Sequence, residues 1–443
     1  MNAVETAPLV EGNRPRDVKK FFLLLALFAS PFAASQIAIY DLLFDVARGS
    51  HHPAEKVGSL LSSVAVMNGV ITMIVSIVLN TYTDRAGRKQ GLIWFMGLTS
   101  LGVLFFPICA YILPHKWDLW RMMAPYFLMA LGGSPSVMLN LSVLYITDLL
   151  PNPRLRTEYL SFLIGIVMSV QAIAPGLGGA MLKSGVHLAP YFYGCTVFMA
   201  ISTFAFYWFA KSDVPDEQAD VQDSPKSLQR AVELATFKHC ETPALRRNAL
   251  IVFVNFLVSN MCAVGFLDLI MVYAKQSFKW TGSDVGANMF ELFSIRTLWA
   301  VLGFPLLYAR LTTYWPASSK TVDIADSVHM FACNILTVAG YLALGFAQTS
   351  SQYSHGLAVL ANDAIVGPVW INALLKHVDP AHKGEFMAAL SVIGKPVEAF
   401  LPALMMKILT ATLTSWPQCV FFVAAGIILL LLVSQFFIKP IRT

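Results

Sequence analysis

Four ionisable side chains stand near mid-depth in apolar runs long enough to cross a bilayer: Arg296, Asp363, Lys395 and Glu398. A charge at mid-membrane costs on the order of 3 kcal/mol or more, so such residues are functional candidates by default. Arginine keeps its proton at any physiological pH. Arg296 therefore suits binding an anionic substrate or holding a carboxylate. An aspartate in a poorly solvated setting can take up and release a proton, which suits Asp363 to coupling. The two lie at similar depth with opposite charge. They are expected to pair, with proton binding at Asp363 freeing Arg296 for substrate. Lys395 and Glu398 are three apart on a helix and can face one another, so self-neutralisation is the plainer alternative there. Gly394 and Pro396 flank Lys395 and predict a kink. Glu291, five residues before Arg296, lies off its helical face and is assigned to a cavity rim. Asp268, near the outer end of its run, is expected to be solvated.

The first half of the chain offers neutral polar groups at comparable depth, chiefly Gln36, Tyr40 and Asn140, and Asn255 of the second half is a candidate for the facing wall. The inferred cavity is one-sided, with neutral groups from one half and charges from the other. With 31 Phe and 9 Trp in the chain, an amphipathic organic solute suits it better than a small inorganic ion. Arg296 and Lys395 favour an organic anion.

The elements that must hold these groups are membrane helices. Of 443 residues, 56% are hydrophobic and 13% charged, against about 25% charged in a soluble domain. Twelve apolar runs are read as spans: 21–43, 57–82, 91–113, 123–148, 158–182, 190–210, 249–273, 286–311, 326–347, 355–375, 387–409 and 417–437. Each approaches or exceeds the roughly 20 residues a spanning helix needs. The fold class is all-α and polytopic, with two six-helix bundles at 21–210 and 249–437. A cytoplasmic tail (1–20), a linker (211–248) and a short end (438–443) complete the division. Residues 227–236 of the linker could form a short surface helix. Besides Arg296, Lys395 and Lys407 within spans, the external loops hold only Arg48, Lys56, Lys116, Arg121, Lys183, Lys275 and Lys279 of the 31 Lys and Arg residues. The rest fall on the other side, so both termini are placed in the cytoplasm.

Several functions are disfavoured. The six cysteines are scattered without metal-ligand spacing, so no metal or cofactor is expected. No P-loop motif occurs, which argues against an ATP-driven pump. No basic helix interleaved with aromatics suggests a nucleic-acid partner. An integral membrane enzyme would expose clustered His or Asp, whereas the histidines here are dispersed and His377 with His382 is the nearest cytoplasmic pair. A non-transporting receptor is the third class.

One motif is specific. Asp84-Arg85-Ala86-Gly87-Arg88-Lys89 lies between the second and third spans. It resembles the signature loop of the major facilitator superfamily, with Asn80 where the family usually has glycine. The resemblance implies a secondary transporter working by alternating access. It also implies a charge relay of Asp84 and Arg88 with Asp148, at the inner end of span four, that latches the outward-facing closed gate; Arg85, Gly87 and Lys89 complete the loop. Pro175, Gly178 and Gly179 in span five resemble part of a facilitator antiporter motif. Generic close packing of small residues explains them equally well. The overall pattern is similar to fungal drug and metabolite efflux carriers and to relatives of the proton-coupled folate transporter. Expected partners are a small organic substrate, protons and lipid, with the protein a monomer. A plasma-membrane location is expected; an acidic dileucine-like Glu5 to Val10 segment leaves the vacuole as the alternative. Uniport or import of an organic anion is the alternative mode.

Overall fold

The computed structural model describes residues 14–113, 115–150, 153–211, 233, 236–237, 240, 242–315, 322, 324–362, 366–378 and 383–438. These residues are helical throughout, with no strand among them. Twelve rods appear in the expected order, each helix satisfying its own backbone as lipid demands. Seven stretches are long and apolar enough to cross a membrane, one of them running over a break in span four. Spans four, seven, eight and ten are interrupted.

Spans one to three run Arg14–Ala47, Pro53–Ala86 and Arg88–Pro107. Spans two and three are joined by Gly87 alone, at φ +91° and ψ 149°. That conformation favours glycine, which explains the glycine of the loop motif. Span four is broken into Met123–Gly132 and Pro135–Leu149. Gly133 has φ +101°, and Pro135 opens the second piece as helix-start chemistry requires. Spans five and six are Pro153–Lys183 and Leu188–Phe209. Span seven breaks at Phe266 into Pro243–Gly265 and Leu267–Phe278. Span eight is Gly282–Leu298, a π turn at Trp299–Gly303, and Phe304–Tyr314. Span nine is Ile324–Phe346, and span ten has pieces Ser350–Leu360 and Val366–Leu375. Span eleven, Lys383–Thr412, continues through Pro396 and Pro402 without a break. Span twelve is Cys419–Gln435.

The two most extensive helix pairings in the molecule join the bundles: span five with span eight, and span two with span eleven. Both rely on missing side chains. A Cβ on Gly179 would fall 3.0 Å from Gly286 Cα, and one on Gly69 would fall 2.0 Å from Ala399 Cβ. Ser62 Oγ donates to the Ala403 carbonyl at 3.0 Å across the second pairing. Span two thus meets its counterpart through Gly58, Ser62 and Gly69, on the outer side of Asn80. These tight contacts lie in the half of each span away from the Gly87 loop, the outer half by the lysine and arginine bias, and those ends are packed shut. The predicted linker helix at 227–236 falls mostly outside the described residues.

Candidate functional site

The site builds from the break in span four. Ser134 precedes its second piece, and its carbonyl accepts from the Val137 and Met138 N–H groups at 2.9 and 3.2 Å. The Ser134 side chain does not cap them. Lys395 of span eleven reaches across the bundle boundary and donates to Ser134 Oγ at 3.1 Å. The lysine is 2% exposed. Its ammonium also donates to Glu398 at 2.5 Å, so the two expected to face one another do so. Self-neutralisation is therefore real, but the pair is seated on the opposite bundle, at the positive end of a helix dipole.

Arg296 is buried, with its guanidinium 5.3 Å from the Phe293 ring centroid. Gly286 and Phe290 on the same helix face Gly179 and Gly176 of span five. Phe293 and Arg296 continue that stripe at helical spacing, which carries Arg296 inward along the bundle boundary. Glu291 is exposed, one position off the stripe. Asp363 lies outside the described residues, and so does its expected pairing with Arg296.

On the facing bundle, Gln36 and Tyr40 are one turn apart on span one. The Gln36 Nε2, the Asn68 Oδ1 and the Thr72 Oγ are enclosed without a hydrogen-bond partner. Asn68 and Thr72 are one turn apart on span two, and Gln36 is on span one; buried polar atoms are nearly always satisfied, so these three are candidate contacts for a polar group. Asn140, six residues beyond Ser134, is half-buried. Asn255 is placed differently from the expectation. Its Nδ2 donates to the Ser434 hydroxyl of span twelve and the Ile251 carbonyl, both at 2.8 Å. It ties two helices of one bundle together instead of lining the boundary.

Two contacts that sequence reasoning missed close the outer end. Lys275 donates to Asp41, and Tyr40 donates to Asp268. Lys275 was assigned to an external loop; it is instead buried within the last helix of span seven, against Asp41 of span one and the Phe44 ring. Asp268, expected to be merely solvated, is held by a phenol from the other bundle. Asp41 also sits against Gly282, where a Cβ would fall 2.1 Å from its Oδ2.

The inner loop is partly described. Arg88 Nη1 donates to Thr83 Oγ1 at 2.9 Å. Lys89 Nζ donates to the Ala210 carbonyl at 2.6 Å and lies 5.7 Å from the Tyr207 ring centroid. A cation on the last carbonyl of a helix is favourable, so Lys89 caps span six. The side chains of Asp84, Arg85 and Asp148 lie outside the described residues, and with them the expected relay.

The Major Facilitator Superfamily model matches residues 20–322. No curated protein matches the chain. Among solved structures, the human organic anion transporter MFSD10 (TETRAN) is 16% identical with a TM-score of 0.60, over 95% of this chain and 99% of that one. A bacterial homologue of the iron transporter ferroportin, in its inward-facing state, is 13% identical with a TM-score of 0.67, over 96% and 99%. The nucleoside transporter NupG is 13% identical with a TM-score of 0.64, over 96% and 100%. Likeness at these identities shows the fold, and the family match shows the lineage: the chain belongs to the Major Facilitator Superfamily and is a multi-pass membrane transporter of small solutes, not an enzyme.

Proposed function

We propose that this transporter carries an amphipathic organic anion by alternating access, coupled to protons, through a site between spans one, four, eight and eleven. The observation that carries the reading is Lys395. It is a buried ammonium, seated at the start of a half-helix of the opposite bundle, held only 2.5 Å from a carboxylate of its own helix. Half-helix N-termini at mid-membrane are where carriers receive anionic groups of their substrates. An incoming carboxylate, sulfonate or phosphate takes the place of Glu398 at Lys395 and meets the positive end of the half-helix that opens at Pro135. Arg296 adds a second fixed positive charge on the boundary. Gln36, Asn68 and Thr72 receive the polar part of the solute, and Tyr40 and Phe293 its apolar body. The solved organic anion carrier of the same fold supports this class.

The two bundles, 21–210 and 249–437, rock about this site, and the relay of Asp84, Arg88 and Asp148 latches the inner side when the outer side opens. The plasma membrane is the proposed location and efflux the proposed direction. The test is thermal stabilisation of the purified protein by a panel of matched organic acids, amines and neutral analogues. Stabilisation confined to acids, and abolished by Lys395→Met, is expected. Stabilisation by amines or neutral compounds that survives Lys395→Met would overturn the anion reading.

A further inference from the structure

We infer that Asp268 is the proton-responsive element of the outer gate, with Tyr40 as the group through which its charge state is communicated between the bundles. The inference deepens the transport reading above and rests on it for the word coupling. The geometry of the gate stands by itself.

Asp268 occupies the first turn of Leu267–Phe278, just after the break at Phe266. It is seven residues before Lys275, about 10 Å along a helix, so the gate has two rungs. The outer rung is the Asp41–Lys275 ion pair, and the inner rung is Tyr40 with Asp268. The rungs differ in kind. Asp41 faces a cation, Lys275. Among the described residues Asp268 has no cation beside it; its cross-bundle contact is a phenol hydroxyl. Tyr126 of span four is the other titratable group within electrostatic reach. Spans two and eleven pack against the same helix. The ionisable groups of span eleven at mid-depth, Lys395 and Glu398, are engaged with each other, and the acidic and basic residues of span two lie near its ends. The Asp268 side chain is accessible at the boundary between the bundles, so a proton can reach it, and its arrival has a consequence.

The consequence follows from hydrogen-bond chemistry. A carboxylate accepts from a phenol about twice as strongly as a neutral group does. While Asp268 is ionised, Tyr40 bridges the bundles and the outer end stays closed. When a proton binds, the bridge is weakened to an ordinary neutral hydrogen bond. The helix N-terminus at Leu267 loses the anion that complemented it. The outer gate is then held by Asp41–Lys275 and packing alone, and its opening becomes more frequent.

The experiment uses the full chain in nanodiscs, with no transported compound present. Ser62 is 2% exposed beneath the closed outer contact, so Ser62→Cys is a reporter of opening. Its modification by a membrane-impermeant maleimide is read at that peptide by mass spectrometry, from pH 8 to pH 5.5, with each rate referred to free cysteine at the same pH. The expected result is a relative rate rising roughly tenfold towards acid, the scale of one charge-assisted hydrogen bond. Asp268→Asn should label fast at every pH, and Asp268→Glu should restore the pH dependence. Tyr40→Phe, which keeps the ring, should label fast with the pH dependence flattened. Asp41→Asn should label faster throughout with the dependence preserved. A pH dependence that survives unchanged in both Asp268→Asn and Tyr40→Phe would overturn the inference, as would a rate independent of pH in the Ser62→Cys protein. Because the readout is the gate, a positive result with no compound transported would refute the transport reading and leave the gate standing.

Discussion

Replacing Gly286 by alanine tests the closed outer gate where span eight meets backbone alone. The added Cβ would lie 2.7 Å from the Pro175 carbonyl oxygen, 2.8 Å from Gly179 Cα and 3.1 Å from Gly179 N. All three are backbone atoms of a helix in the other bundle, so no side chain can rotate away. Ordinary contact begins at 3.4 Å; spans five and eight must therefore separate by several tenths of an ångström. Overpacking of this kind costs about 1–3 kcal/mol. The cost falls on the state with the outer end closed and is relieved when it opens. The ratio of open to closed should rise by about fivefold to a hundredfold. The assay is double electron–electron resonance between spin labels at Ser184 and Lys279, exposed positions flanking the outer ends of spans five and eight. A growing long-distance population is expected in Gly286→Ala. Gly194→Ala, where nothing lies within 4 Å, should leave the distribution alone. If Gly286→Ala destabilised the protein without changing the distances, the contact would be needed in every state, and the gate argument would fail.

Three further outcomes follow from other parts of the fold. Gly87→Ala should strain the one-residue turn between spans two and three by about 1–3 kcal/mol, read as a lower melting temperature in detergent. Asp326→Ala removes a fully buried carboxylate from Lys376. Loss of one partner of a buried pair typically costs about 3–5 kcal/mol, so a large drop in thermal stability is expected, whereas a neutral result would mean the pair is solvated. Tyr353→Phe deletes a buried hydrogen bond of 3.1 Å to the Ile270 carbonyl and should cost about 1 kcal/mol by the same assay.

Much of this architecture was legible in the sequence because lipid imposes length and apolarity on every span. The family loop was legible because Gly87 has to adopt a positive φ and Lys89 has to meet a helix end. The breaks were not read, although Gly132-Gly133-Ser134-Pro135 is helix-stop followed by helix-start chemistry. Its apolar flanks are continuous in composition and hid it. Lys395 was recognised as a charge out of place, but its seat on Ser134 depends on how one bundle packs on another, which no local pattern encodes. Lys275 and Asp268 were passed over for a related reason. Near a span end a charge looks solvated unless the opposite bundle is known to cover it. Asn255 shows the same limit: a polar residue at mid-depth reads the same whether it faces a cavity or ties helices together, as its bond to Ser434 does.

The central claim, that solute passes by alternate opening of the two sides, is tested most directly by tying the outer ends together. Ser62 and Ala403 touch across spans two and eleven, so cysteines at both positions can be bridged by a short thiol reagent cleavable by reductant. Transport of an organic acid that stabilises the protein would be followed in proteoliposomes before bridging, after it and after reduction. The account predicts that the bridge stops transport and that reductant restores it. Transport continuing at an undiminished rate in fully bridged protein would contradict it.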